Sequence, residues 1–392
     1  MNRKILNIGV QEFKDKNWNA DIMSVLLLKP LFEGISQREL AIQLESKKKA
    51  KNKLPTWFGT EGIYYPPKLH IEQSSSEITA QYKASLVAGK QLLDMTGGFG
   101  VDSYFFSKRM DAVLHCEINP ELSAIAKHNF DQFNTKHVQC RATDGGRFLM
   151  ESTQTYDWIF IDPSRRNTSK GKVFLLADSE PAVPELLPIL FKRAKKILLK
   201  TSPLLDITQA RKELGGVQKI HIVAVKNEVK EVLYILEKDF GEEIEYTCAN
   251  LEGQKIEIFN FNEKEESLQA LHLGFPQTYL YEPNPAILKA GAFKTIGNRF
   301  GLKKLHRHSH LYTSDKLVEF PGRRFSIKST IPYNKTSAKR LKNIKANITS
   351  RNFPLTVAAL RKKHQILDGG ENYWFFTKTR DEKNWVICCQ KV

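Results

Sequence analysis

The sequence predicts an α/β fold: a mainly parallel sheet covered by helices, a helical region before it and a smaller α+β unit after it. Three observations predict this. Short apolar runs alternate with helix-like segments between residues 91 and 200, as strands and crossover helices do in a parallel sheet. A glycine cluster, Gly97-Gly98-Phe99-Gly100, turns the chain directly after the first run. After Gly215-Gly216 the alternation gives way to paired β-rich runs, and later to a second, basic α+β pattern. At 392 residues the chain exceeds what one core usually organises, so two or three domains are expected.

Residues 1–70 read as helical and irregular. The apolar run 21–28 is expected to pack, and Ser36-Gln37-Arg38-Glu39 is a capping box ahead of Leu40, Ile42 and Leu44. Ser74-Ser75-Ser76-Glu77 reads as a second capping box, opening the helix that leads into the glycine loop. Strand-like runs follow at 91–95, 112–117, 137–141, 158–162 and 196–200. Helices are expected between them, notably over 120–133 and 180–194, with Pro120 suited to a first helical turn. The runs 219–225 and 231–237 predict an antiparallel closure of the sheet, and 246–250 with 255–261 a further hairpin. From about residue 275 a new unit begins. Tyr279 to Pro285 leads into a helix, and the order strand (323–331), helix (337–344), strand (345–350), helix (355–364) and terminal hairpin (373–379, 385–390) gives a small βαβαββ sheet. The domains are thus expected at 1–70, 71–262 and 275–392.

The formal net charge of +17 is unevenly placed. From Lys289 onward there are 23 Lys+Arg against 6 Asp+Glu, so the excess lies in the last quarter and the preceding residues balance. Solvated lysine faces would account for part of this. A footprint for nucleic acid accounts for it better, because Phe325, Tyr333, Phe353, Tyr373 and Trp374 are interleaved with the charge. No apolar run approaches the roughly 20 residues of a membrane span. The N-terminus does not read as a signal peptide, and the five scattered cysteines fit neither a zinc site nor a disulfide framework. A reducing cytoplasm is the simplest setting.

The chemistry-bearing residues fall at run ends. Glu117 closes the second run about 20 residues after the glycine loop, where a carboxylate can accept both ribose hydroxyls of a nucleotide cofactor. Asp144 follows the third run and suits either a helix cap or a contact to that cofactor. Ile161-Asp162-Pro163-Ser164-Arg165-Arg166 closes the fourth run, at the sheet edge where open α/β folds bind ligands. Asp162 can accept a hydrogen bond from a nucleophilic N–H, and the two arginines can grip a phosphate bidentately. No cysteine lies near Asp162 or Thr201-Ser202-Pro203, so no thiolate nucleophile is expected at this edge.

Asp94-Met95-Thr96-Gly97-Gly98-Phe99-Gly100 is not GxGxxG. It resembles motif I of class I S-adenosylmethionine-dependent methyltransferases, with Thr96 where a glycine often stands. Asp162-Pro163-Ser164-Arg165 resembles motif IV of enzymes that methylate amino groups or nucleobases, with Ser164 and Arg165 replacing a proline and an aromatic. With the lead-in helix over 72–84, Tyr281-Glu282-Pro283-Asn284, and the tail through Gly369-Gly370-Glu371-Asn372-Tyr373, the chain resembles bacterial methyltransferases that carry a C-terminal THUMP-like domain. The resemblance implies a Rossmann-like methyltransferase sheet and S-adenosylmethionine as cofactor. It also implies an RNA methyltransferase, expected to act on a nitrogen of a nucleotide in structured RNA, tRNA or rRNA, and from the composition neither a metal nor a membrane partner is expected. An inactive methyltransferase fold that binds RNA, or an enzyme for protein or a small molecule, are the alternatives. On this reading Asp94, Thr96, Gly97, Gly98, Gly100, Glu117 and Asp144 hold the cofactor. Asp162, Pro163, Ser164 and Arg165 form the catalytic turn. Arg166, Arg323, Arg324, Lys339, Arg340, Arg361 and Lys362 meet RNA.

Overall fold

A computed structural model describes residues 1–165, 175–253, 255–338 and 341–392. The chain divides into two compact units, Met1–Gln218 with Val232–Gly241, and Lys219–Glu231 with Glu242–Val392.

The first unit opens with helices α1 (Ile8–Lys16), α2 (Ile22–Leu27), α3 (Gln37–Lys53), α4 (Pro55–Gly59), α5 (Lys68–Gln73) and α6 (Glu77–Ser85). The capping box at Ser36 is present: its side chain accepts from the Glu39 N–H, and Glu39 accepts from the Ser36 N–H. The second box differs from expectation. Ser76, not Ser74, caps α6 and accepts from Thr79, while Glu77 is buried and takes up the Thr56 N–H and hydroxyl. Of the run 22–28, only Val25 is buried and Met23, Leu26, Leu27 and Leu28 are exposed, because a two-turn helix with apolar side chains all round can turn only one side inward.

There follow β1 (Gly89–Asp94), α7 (Val101–Phe106), β2 (Met110–Glu117), α8 (Pro120–Gln132), β3 (Val138–Ala142), α9 (Gly145–Glu151), β4 (Tyr156–Ile161), and the two-residue strands β5 (Ser164–Arg165) and β6 (Ser179–Glu180). Next are α10 (Val183–Arg193), β7 (Ala194–Thr201) and α11 (Ile207–Glu213), then β8 (Val217–Val225), which from Lys219 on belongs to the second unit, and β9 (Glu228–Glu237), which from Val232 on belongs to the first. Within this unit the strands lie in the order β9-β7-β4-β1-β2-β3. All neighbours are parallel except β7 and β9, which run antiparallel with Lys196 opposite Glu237. Chain order reverses between β1 and β4: the chain moves from β1 outward to β3, then returns to lay β4 on the other side. Such a reversal opens a crevice at the carboxyl ends of the two strands. Leu92, Leu93, Ile159, Phe160, Ile161, Ile197, Leu198 and Leu199 are buried in consecutive positions, as expected for strands covered on both faces.

The second unit contains β10 (Glu245–Glu252), which pairs in parallel with β8 and antiparallel with β11 (Lys255–Asn262), then α12 (Glu263–Leu268). It continues with β12 (Tyr279–Pro283), α13 (Pro285–Ala290), α14 (Thr295–Arg299), β13 (Lys303–Lys304), β14 (Tyr312–Ser314), β15 (Gly322–Pro332), α15 (Lys335–Ala338), β16 (Asn347–Arg351), α16 (Val357–His364), β17 (Asn372–Lys378) and β18 (Asn384–Lys391). Its larger sheet has the order β13-β14-β12-β15-β18-β17-β16. The expected βαβαββ order holds, but the helix expected over 337–344 is the four-residue α15, with residues 341–344 outside it, and the segment expected only as a lead-in to a helix is itself a strand, β12, paired with both β14 and β15. Period-2 alternation fills two cores, one on each face: Trp374, Phe376, Val386 and Cys388 on one side, Phe375, Ile387 and Cys389 on the other.

Candidate active site at the carboxyl edge of the first sheet

The loop after β1 is tied to both neighbouring strands. The Met95 N–H donates to the Phe160 carbonyl of β4, and the Gly97 N–H donates to the Cys116 carbonyl of β2. A β-carbon at Gly97 would lie 2.3 Å from the His115 ring, and one at Gly100 would lie 2.5 Å from Phe130, so protein packing alone requires both glycines. Gly98 is different. It has φ +56°, and a β-carbon there would meet nothing nearer than the Thr96 carbonyl at 4.0 Å. The chain thus presents bare backbone to open space at this point, as close approach of a bulky cofactor requires.

Glu117 stands across from it. One oxygen accepts from the Gly98 N–H at 2.9 Å and the other from the Asn119 N–H at 2.7 Å. Each carboxylate oxygen keeps a lone pair for a further donor, so an anchored carboxylate remains able to accept a pair of hydroxyls. Asp144 caps α9, accepting from the Arg147 N–H at 2.7 Å. It is brought to the same edge because the Thr143 N–H bonds the Glu117 carbonyl.

Asp94 lies below the loop. It is fully buried and accepts from the Ser103 hydroxyl (2.5 Å) and the Thr96 N–H (3.1 Å). Burial first, then Asp102 and Asp162, push its carboxyl up to about 8. Its part is to fasten the loop, and it does so as a largely neutral acid at pH 7. The ordinary carboxyl ionises near 3.8, so between about 4 and 8 the unfolded chain has lost a proton that the folded chain keeps. Stability therefore falls as pH rises through this window. Asp94→Asn should flatten that slope in urea midpoints taken from pH 5 to 8; an unaltered slope would show that Asp94 is ionised in the folded chain.

Thr96, where a glycine is common, has a particular use. Its hydroxyl accepts from the Asp162 N–H at 2.7 Å, joining the glycine loop to the Asp-Pro turn across the β1–β4 crevice. The Asp162 carboxylate is held by Lys200 of β7, whose Nζ lies 2.6 Å away. Both are only partly exposed. Pro163 is half-buried, and Ser164 is exposed in β5, with its hydroxyl 3.4 Å from the Glu180 carbonyl. Arg165 also lies in β5, opposite Ser179. Arg166, Lys339 and Arg340 fall outside the described residues.

Three residues beyond the motifs belong to this edge. Lys200 ends one of the expected strand runs, and that terminal position at the ligand edge is the signal that marks it. His115 lies under the loop with Nε2 3.3 Å from the Gly98 carbonyl, and burial holds its imidazole down to about 4, hence neutral. Ser103 carries no sequence signal.

The cationic residues of the second unit are engaged to different degrees. Arg323 is bonded to Glu282, Arg324 to Glu319 and Arg361 to Asp368. Lys362 is exposed. The interleaved aromatics do not form a stacking platform. Phe325 and Trp374 are buried in the two sheet cores, where alternation along β15 and β17 turns them inward, and Tyr333, Phe353 and Tyr373 pack against those cores.

Comparison with known proteins completes this picture. A crystal structure described as a "putative methyltransferase" from Porphyromonas gingivalis W83 matches with a TM-score of 0.90 and 32% identity, covering 100% of this chain and 99% of that one. The chain belongs to that protein's family. Residues 279–321 match a ferredoxin-like domain family and residues 322–391 a THUMP domain-like family. Two curated proteins, each described as an uncharacterized S-adenosylmethionine-dependent methyltransferase, from Mycobacterium tuberculosis strains CDC 1551 / Oshkosh and H37Rv, are 22% identical over 248 residues. That stretch is 63% of this chain and spans 65% of the length of those relatives. The family thus has a solved member described as a methyltransferase and a THUMP-like C-terminal domain, and the two curated relatives are described as S-adenosylmethionine-dependent. No helix among the described residues is long and apolar enough to cross a membrane.

Proposed function

We propose that this chain transfers a methyl group from S-adenosylmethionine to a nitrogen of a nucleotide in structured RNA, tRNA or rRNA. The observation that carries the reading is the Thr96–Asp162 hydrogen bond. It fixes the glycine loop and the Asp-Pro turn at one crevice, so that a cofactor over Gly98 and Glu117 would lie beside the Asp162 carboxylate.

The bound cofactor supplies an electrophilic methyl group on a sulfonium. The chain's own task is alignment, which can contribute roughly 7–11 kcal/mol when the reacting atoms are held in near-attack geometry. Glu117 would orient the ribose, Asp144 would meet the adenine edge, and Gly98 would leave room for the methionine portion. Asp162 would accept a hydrogen bond from the target N–H and take its proton as the new N–C bond forms. Lys200 would hold that carboxylate in place. The basic excess from Lys289 onward supports RNA as the acceptor.

Calorimetry with S-adenosylmethionine, followed by tritium-methyl transfer to bulk RNA, tests the reading. Saturable binding and label in RNA are expected. Binding without labelled RNA would favour an inactive RNA-binding fold or a different acceptor.

A further inference from the structure

Glu282 on β12 is buried, its side chain only 4% exposed. One of its oxygens accepts from Arg323 of β15, through Nε at 2.7 Å and through Nη2; the other accepts from Arg351 at the end of β16, through Nε at 3.1 Å and Nη2 at 2.9 Å. A single arginine would neutralise a buried carboxylate. Two leave the cluster with a net positive charge, on arginine side chains that are 37% and 40% exposed. Each arginine commits its Nε–Nη2 edge to Glu282, and neither Nη1 has a partner among the described residues.

The surroundings add to the field. Lys303, Arg307 and His308 are exposed on the β13–β14 segment. Burial first, then the charges of Lys304 and Arg351, hold the nearby His310 imidazole down to about 4. Asn352, next to Arg351, is fixed by a 2.9 Å bond to His306, which in turn meets Glu382. Glu382 is engaged by His306 and Lys378, and Glu266 lies near Lys304.

We infer that Arg323 and Arg351, locked side by side on the buried Glu282 carboxylate, form a phosphate-binding clamp for RNA in the second unit. Two guanidinium forks held by one carboxylate cannot fold away from a ligand, so little side-chain entropy is lost on binding. Their free N–H groups match phosphate oxygens in number and spacing better than ammonium groups do. This deepens the RNA reading above and rests on it. The phosphate can be a terminal monoester or a backbone diester.

The full chain without cofactor, titrated into 3′-fluorescein 12-nucleotide RNA bearing either a 5′-phosphate or a 5′-hydroxyl, tests the clamp by anisotropy. Arg351→Gln leaves Arg323 on Glu282, so the carboxylate stays paired and the melting temperature should hold. Affinity should fall on the order of tenfold, and the slope of log affinity against log salt should flatten by about 0.7. Arg351→Lys keeps the charge but not the fork and should also lose affinity. Loss confined to the 5′-phosphate probe assigns a terminal monoester; loss on both assigns a diester. Unchanged binding in Arg351→Gln, or full retention in Arg351→Lys, overturns the clamp. In the wild-type chain inorganic phosphate should displace the probe more than chloride of equal ionic strength does, and equal displacement would also overturn it. Because no methyl transfer is involved, loss of the enzymatic reading and loss of this site are separately visible.

Discussion

Asp162→Ala is expected to lower methyl transfer to RNA by about 10²–10⁴-fold, the usual worth of a positioned proton acceptor, and to leave S-adenosylmethionine binding nearly unchanged. The asymmetry follows from which atoms Asp162 uses. Its tie to the glycine loop runs through its backbone N–H to the Thr96 hydroxyl, and alanine keeps that N–H. Only the carboxylate is lost, and with it the contact to Lys200. The RNA dissociation constant should hold while kcat falls, since the missing bond strengthens only as the target nitrogen gives up its proton. Asp162→Asn, which keeps the shape but accepts protons poorly, should fall nearly as far. Calorimetry for the cofactor and single-turnover transfer with labelled RNA separate the two quantities. Turnover within a few-fold of wild type would remove Asp162 from the reaction and leave alignment alone to account for catalysis. A parallel loss of cofactor binding would make the carboxylate part of the cofactor site instead.

The parts of this architecture that were legible in the sequence are those encoded locally. The glycine loop, the acidic residue closing β2 and the Asp-Pro turn each lie within a few residues of a strand end, where period and turn chemistry speak directly. Every expected strand from β1 to β7 formed, with ends shifted by one or two residues, as frayed boundaries allow. Long-range pairings were illegible. Thr96 reads as a departure from a glycine pattern until its hydroxyl is seen on Asp162, 66 residues away. Glu282 and its two arginines are 41 and 69 residues apart, and nothing in a one-dimensional pattern marks a carboxylate that will be buried between cations. The aromatics among the late lysines were legible in number and misread in place. They pack into or against the two cores, so the second unit's positive charge stands without a stacking surface beside it.

Lys83 is the extreme case of such concealment, and its replacement carries the largest expected effect on stability. A lysine in a short amphipathic helix ordinarily reads as a solvated side chain, yet this one is fully buried. Its Nζ lies 3.2 Å from Asp102 and 3.0 Å from the Ser75 hydroxyl, and Ser75 also donates to Asp102 at 2.7 Å. Asp102 is the second residue of α7, immediately after the glycine loop. The ion pair therefore clamps α6, the segment before it and the start of α7 together beneath the cofactor edge. Lys83→Met removes the cation and leaves a carboxylate out of water with one hydroxyl for company, at a cost of about 3–5 kcal/mol. The double variant Lys83→Met, Asp102→Asn removes both charges and should recover most of that loss, because the desolvation penalty of the orphaned carboxylate disappears with it. Urea unfolding gives the magnitude, and hydrogen exchange over residues 75–106 gives the place: faster exchange in α6 and α7 is expected in the single variant and near-normal exchange in the double. Cofactor affinity should fall in the single variant as well, since the loop that presents Gly98 loses its footing. A single variant that costs less than about 1 kcal/mol would mean that water reaches this pair, and that the loop is held by Asp94, Ser103 and its backbone bonds to β2 and β4 alone.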